Sequence, residues 1–228
     1  MRSSLLVILT LLVHVAAGQG LEAGVFVSYV PTISFRADGS STSEYARDNV
    51  FAGFAFTVKL SRSVVVGLQV SRGISTLSEY VSEDGVQYIH HSLVSWLTEV
   101  PFQYQFQTSG PLTLRTGASV GWVQVIDRNS YRLRVRNSGG VSIRDFKLSV
   151  PKAGLTAGPH VEVGVVLTSS LKVRWCTAFR YARVRIPEVE GIFETDGNGI
   201  RVIREHRFGR TIRLDGVHTT VGFLYSLR

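Results

Sequence analysis

The chain has 228 residues, a single cysteine and a formal net charge of +8. Cys176 alone excludes an internal disulfide, so the expected role is a small buried side chain. The positive charge gathers in particular loops, which argues against a nucleic-acid partner and for local affinity for anions.

Residues 1–18 read as a secretory signal: Arg2 supplies charge, Leu5 to Val15 form an apolar run, and Ala16-Ala17-Gly18 offers small residues for cleavage. That run is shorter than the ~20 apolar residues of a spanning helix, and no later stretch reaches that length. Residues 19–228 are expected to form one domain, with no Pro- or Ser-rich linker dividing them.

Period-two alternation predicts eight strands, near 20–30, 49–60, 64–75, 92–107, 112–125, 153–167, 171–186 and 216–227. Their connections alternate in length. Ser61 to Ser63, Thr108 to Pro111 and Thr168 to Ser170 are tight turns. Segments 31–48, 76–91, 126–152 and 187–215 are long and polar. Short turns at one end and long loops at the other describe an even-stranded, up-and-down barrel.

The faces of these strands differ in kind. The second sets Val50, Phe54, Phe56 and Val58 against Gly53, Thr57 and Lys59, and the third sets Val66, Leu68 and Val70 against Gly67, Gln69 and Ser71. In the fourth, Trp96, Val100, Phe102, Tyr104 and Phe106 oppose Leu97, Glu99, Gln103 and Gln105. The fifth opposes Leu112, Leu114, Val120 and Trp122 to Arg115, Gly117 and Gly121. The sixth opposes Leu155, Val161, Val163 and Val165 to Gly158, His160, Glu162 and Gly164. The seventh opposes Val173, Trp175 and Phe179 to Lys172, Arg174 and Arg180. A secreted, soluble, lipocalin-like barrel would put the large apolar face inside. An eight-stranded barrel is only just wide enough inside for side chains to fill. The glycines therefore belong within and the aromatic rings outside, against lipid. The fold expected is an all-β, eight-stranded antiparallel transmembrane β-barrel in a bacterial outer membrane. Phe102, Tyr104, Phe106, Phe223 and Tyr225 would girdle the periplasmic edge, and Trp122 and Tyr181 the outer one.

With that polarity, Glu22, Lys59, Gln69, Glu99, Gln103, Arg115, His160, Glu162, Lys172, Arg174 and Arg180 face the lumen. Buried charges need partners, so an ion-pair and hydrogen-bond plug is expected; the competing reading is a narrow, anion-preferring channel. In the long loops, YRLRVR and VSIRDFKLSV alternate around NSGG as though two strands continue above the membrane. The last loop does likewise around DGNG, with Arg201, Arg204, Arg207, Arg210 and Arg213 spaced three apart. Arg128, Arg132, Arg134, Arg136, Arg204 and Arg207 are the candidates for contact with phosphate or carboxylate groups of lipopolysaccharide or another polyanion.

An enzymatic reading is weaker. His90, His91 and Ser92 have a superficial likeness to the His and Ser of a lipid A deacylase, but no carboxylate is aimed at the histidines, Glu83 and Asp84 lying across the loop tip. His160 and His218 point inward without a ligand cluster, so neither catalytic residues nor a metal or cofactor are expected.

FAGFAFTVKLSRSVVVGLQVSRGIS, WLTEVPFQYQF, LRTGASVGW and AGLTAGPHVEVGV resemble the hairpins and strands of the outer-membrane β-barrel (porin-like) family of Bacteroidetes. The resemblance runs nearly the whole chain from residue 20, with Leu97, Glu99, Val100 and Pro101 carrying its Leu-x-Glu-(apolar)-Pro strand. It departs at Tyr225-Ser226-Leu227-Arg228, where the family ends in an aromatic residue. The resemblance implies an outer-membrane address, assembly by the barrel-assembly machinery and possible envelope protein partners, and assigns no reaction.

Overall fold

Seven long strands run antiparallel in chain order: β1 (Leu21–Ala37), β2 (Ser43–Lys59), β3 (Val64–Leu77), β4 (Val86–Phe106), β5 (Leu112–Asn137), β6 (Gly140–Val166) and β7 (Leu171–Ile186). They belong to a computed structural model that describes residues 20–37, 43–77, 86–106, 110–137, 140–186, 189–196, 199–207 and 210–227. Side chains are described over 20–34, 47–75, 92–106, 110–126, 151–186 and 211–227. Four further segments follow: β8 (Val189–Asp196), β9 (Gly199–Arg207), β10 (Arg210–Arg213) and β11 (Gly216–Leu227). β10 and β11 both pair with β7 on one side and β1 on the other, so together they are the eighth stave of the barrel. β1 also pairs with β2, and the sheet closes without an edge. The signal segment 1–18 lies outside the described residues.

The closed eight-stranded barrel is the architecture that the alternation predicts, and the structure adds length to it. β5 and β6 stay paired from Leu112↔Val165 up to Asn137↔Gly140, so segment 126–152 is a tall hairpin, as its alternation on either side of NSGG leads one to expect. β8 and β9 form a separate two-stranded hairpin. The eighth stave begins at Arg210, not at residue 216. Its two parts meet at a bulge. Between the pairs Tyr29↔Thr219 and Ser34↔Arg213, β1 advances five residues while the eighth stave advances six. Asp215 braces the extra residue, its Oδ1 accepting from the Ala182 N–H at 2.9 Å.

At the opposite end two hairpins use the same turn chemistry. Ser61 Oγ accepts from the Val64 N–H at 3.1 Å, and Thr168 Oγ1 accepts from the Leu171 N–H at 3.0 Å. Glycine sets the tight curvature of the wall. A Cβ at Gly121 would stand 2.0 Å from the Thr98 carbonyl oxygen, and one at Gly158 would stand 1.7 Å from that of Phe179. Only a residue without a side chain lets neighbouring strands coil this closely in so narrow a barrel.

The exterior is apolar. Val25, Val27, Phe54, Phe56, Leu112, Val120, Val161, Val163, Trp175, Phe179 and Val221 are all exposed. Phe102, Tyr104, Phe106, Phe223 and Tyr225 are exposed towards the short-turn end, and Trp122 and Tyr181 towards the other. A water-soluble monomer does not present so continuous an apolar surface. This wall spans a bilayer.

Candidate functional site

The lumen is divided into a charged half near the short turns and an apolar half under the long hairpins. The sequence reading expects polar and charged side chains throughout, and this is where the structure corrects it. Val30, Ile33, Phe51, Leu93, Leu97, Val123, Val125, Ala182, Val184, Ile186, Ile212 and Leu214 form one buried cluster. Leu97, on the inward face of β4, is therefore apolar core and not an exception among glutamines. Above the charged layer the inward residues of β4, β5, β7 and β10 change from charged to mainly aliphatic, with Ser95 the exception on β4, and the interior packs as in a soluble protein.

In the charged half, Arg115 and Glu162 are cross-strand partners on β5 and β6, and both side chains are fully buried. Arg115 Nη1 donates to Glu162 Oε1 at 3.2 Å, while Nη2 crosses the lumen to Glu22 Oε2 on β1 at 3.0 Å. Its Nε donates to Gln105 Oε1 at 3.0 Å, so each face of the guanidinium fork is used. Lys172 Nζ reaches Glu22 Oε1 at 3.1 Å, and Thr57 Oγ1 donates to Glu22 Oε2 at 3.0 Å. Arg174 Nη1 donates to Glu162 Oε2 at 3.4 Å, with its guanidinium 5.1 Å from the Phe26 ring centre. The cross-strand neighbours of Arg174 are Gly164 and Gly222, which leave room for so large a side chain inside.

A second layer sits next to the apolar cluster. Arg180 grips Glu99 with two parallel bonds, Nε to Oε1 at 2.8 Å and Nη2 to Oε2 at 2.6 Å, across the bore from β7 to β4. Ser119 and Thr156 each donate to Glu99 Oε1 at 3.4 Å. Arg180 Nη1 meets His218 Nδ1 at 2.7 Å, and His218 Nε2 meets the Leu214 carbonyl at 3.1 Å. A guanidinium can only donate and a carbonyl can only accept, so His218 is the neutral Nε2–H tautomer. Gln103 Nε2 joins the layers, 3.0 Å from His160 Nε2 and 3.5 Å from Glu162 Oε2.

The structure thus brings together Glu22, Glu99, Gln103, Arg115, His160, Glu162, Lys172, Arg174 and Arg180. Lys59 and Gln69 are only partly buried, at the short-turn end of β2 and beside Glu99 in register on β3. Gln105 and His218, which the alternation also turns into the lumen, join the network, and so do Thr57, Ser119 and Thr156, which were not singled out for it. Strand parity puts all five inward, and that signal was available for each. The candidate arginines Arg128, Arg132, Arg134, Arg136, Arg204 and Arg207 have backbone in β5 and β9, and their side chains lie outside the described residues. The same holds for His90 and His91, while Glu83 and Asp84 fall outside altogether. Among the described residues no group of three His, Cys, Asp or Glu side chains is arranged to hold a metal ion.

On the outward faces of the described strands, cations lie towards the long-hairpin rim, while Arg62 is exposed in the short turn between β2 and β3. Arg72 lies over the Trp96 ring at 5.3 Å and Arg183 over the Tyr181 ring at 4.5 Å. A lipid-facing Arg costs about 2–4 kcal/mol at the bilayer midplane and about 0–1 near the interface, so these stacked pairs mark the interface.

No protein-family model and no curated protein matches the chain. Its fold is similar to that of solved outer-membrane proteins. The outer membrane protein OprG from Pseudomonas aeruginosa aligns at a TM-score of 0.56 and 10% identity, covering 92% of this chain and 96% of that one. Neisserial surface protein A aligns at 0.50 and 10% identity, covering 91% and 97%. An apolar outer wall on a fold shared with such barrels puts this chain in a bacterial outer membrane as an integral β-barrel protein.

Proposed function

We propose that this protein is a closed, non-conducting barrel with a structural or surface-binding role, whose basic hairpins contact lipopolysaccharide or another polyanion. The observation that carries the first half is the chain of contacts Lys172–Glu22–Arg115–Glu162–Arg174, which ties β7, β1, β5 and β6 together across the bore. An ion or solute crossing the lumen would have to break several of those bonds and then part the apolar cluster beyond them. Each broken buried pair leaves an uncompensated charge, at a cost of several kcal/mol. The apolar layer offers a hydrated ion nothing in exchange.

The hairpin contact rests on composition. Six arginines, Arg128, Arg132, Arg134, Arg136, Arg204 and Arg207, fall on β5 and β9, beyond the apolar belt on the long-hairpin side. Guanidinium groups form bidentate bonds with phosphate and carboxylate.

Two measurements test the reading. Purified barrel in planar bilayers should give no stepwise conductance, and steady single-channel events would establish the narrow-channel alternative in its place. Charge reversal of the six arginines should weaken retention of lipopolysaccharide in a pull-down while the barrel stays heat-modifiable on gels. Unchanged retention would remove the hairpin contact.

A further inference from the structure

We propose that the outward face of β7 and β10, at the long-hairpin rim, binds the phosphate of a lipid in the outer leaflet. Arg183 and Arg213 are direct cross-strand partners. Their neighbours Val184 and Ile212 are buried inside the barrel, so both arginines point outward. Like charges placed opposite each other on adjacent strands repel. The one described carboxylate between them is already committed. Asp215 uses Oδ1 to accept the Ala182 N–H at 2.9 Å, bracing the bulge, and its Oδ2 stands 3.5 Å from Arg183 Nε. Asp215 thus meets Arg183 alone, and among the described residues no acceptor reaches the buried Nε of Arg213. Arg185, two residues beyond Arg183, adds a third exposed arginine on the same face of β7.

The surroundings indicate which anion fits. Arg183 is 44% exposed and stacks on Tyr181, an exposed ring on the same face of the strand. Further down that face come Phe179 and Val217, which are register partners; Leu155, 79% exposed, stands on β6 two residues above Ala157, the register partner of Tyr181. Positive charge above, an interfacial tyrosine at its foot and bare apolar wall beneath match a phosphate head, an interface and acyl chains in sequence. A soluble anion would need only the first of these. The unbroken register against β7 is what makes the site: Arg213 reads as part of a polar loop, and the extension of the eighth stave carries it onto the membrane face beside Arg183.

The site rests on the reading that this barrel meets lipopolysaccharide on its long-hairpin side, but it places a contact on the wall and not on the hairpins. The test uses the full barrel in detergent and native mass spectrometry with added phosphorylated lipid A, dephosphorylated lipid A or inorganic phosphate. Wild type should retain the phosphorylated lipid. Arg183→Gln with Arg213→Gln should retain it roughly tenfold less, as expected for loss of charge-assisted bonds to phosphate. That variant should stay heat-modifiable, because both side chains lie outside the lumen. Charge reversal of Arg132, Arg134 and Arg136 should leave this retention in place. Equal retention by the double variant, or by wild type with dephosphorylated lipid, would overturn the site. Competition by inorganic phosphate at equal concentration would make it a free-phosphate site and overturn the lipid. Loss in the hairpin variant alone would remove the wall site and leave the hairpin reading standing.

Discussion

The two halves of the lumen are held together by different forces. Near the short turns, four bases and three acids meet in a network whose members come from strands across the barrel. Under the long hairpins, twelve apolar side chains fill the same bore, with the small buried hydroxyls of Ser75 and Ser95 on the same inward faces. The apolar half gains stability from each methylene that it buries, and small losses there scale with the volume removed. The charged half gains little net stability, because taking ions out of water costs about as much as pairing them returns. What it adds is a tie between distant strands: Arg115 meets Glu22 and Glu162 together, linking β5 to β1 and β6. The wall between the halves is Glu99 with Arg180, whose bidentate pair lies next to Leu97.

Breaking one shared carboxylate should do the most damage. Glu162→Ala takes from Arg174 the carboxylate it meets in the bore and leaves Arg115 with Glu22 alone, and a lost buried partner costs about 3–5 kcal/mol. The urea midpoint of the barrel in detergent should fall accordingly. A midpoint within error of wild type would mean that water, and not Glu162, satisfies those arginines. In the apolar half, Leu97→Ala should cost roughly 2–5 kcal/mol through the cavity left behind. That loss should be insensitive to salt, whereas the Glu162→Ala loss should change between low and high salt if ions enter the bore. The mildest effect is expected at Arg174. Arg174→Met keeps a flexible apolar stem over Phe26 and leaves Glu162 with Arg115, so a shift under about 1.5 kcal/mol should follow. A larger drop would show that Arg174 holds its strand in place as firmly as Arg115 does.

Much of this was legible in the strand rhythm. Alternation of large apolar against small or charged residues from Val50 to Lys59 and from Leu155 to Val165 has one physical solution in an eight-stranded barrel, because rings such as Trp175 do not fit where Gly158 must. The same parity puts Arg115 and Glu162 inside. It could not pair them. A period of two says which face a residue takes, and nothing about which strand's residue it meets across the bore. Glu22 and Arg115 are 93 residues apart, and their contact depends on the shear of the closed sheet. Nor could parity show that Leu97, Val125 and Val184 gather into a core of their own, since they lie on three different strands and meet only when the sheet closes.

The order of residues by itself therefore determined the barrel, its inside-out polarity and the inward set of charges, because side-chain direction along a strand is a local property of the backbone. The closed sheet decided the rest: which acid meets which base, where polar lumen gives way to apolar core, and that Arg213 stands beside Arg183 on the membrane face. Those are matters of register and closure, set by contacts between distant strands that no local pattern encodes.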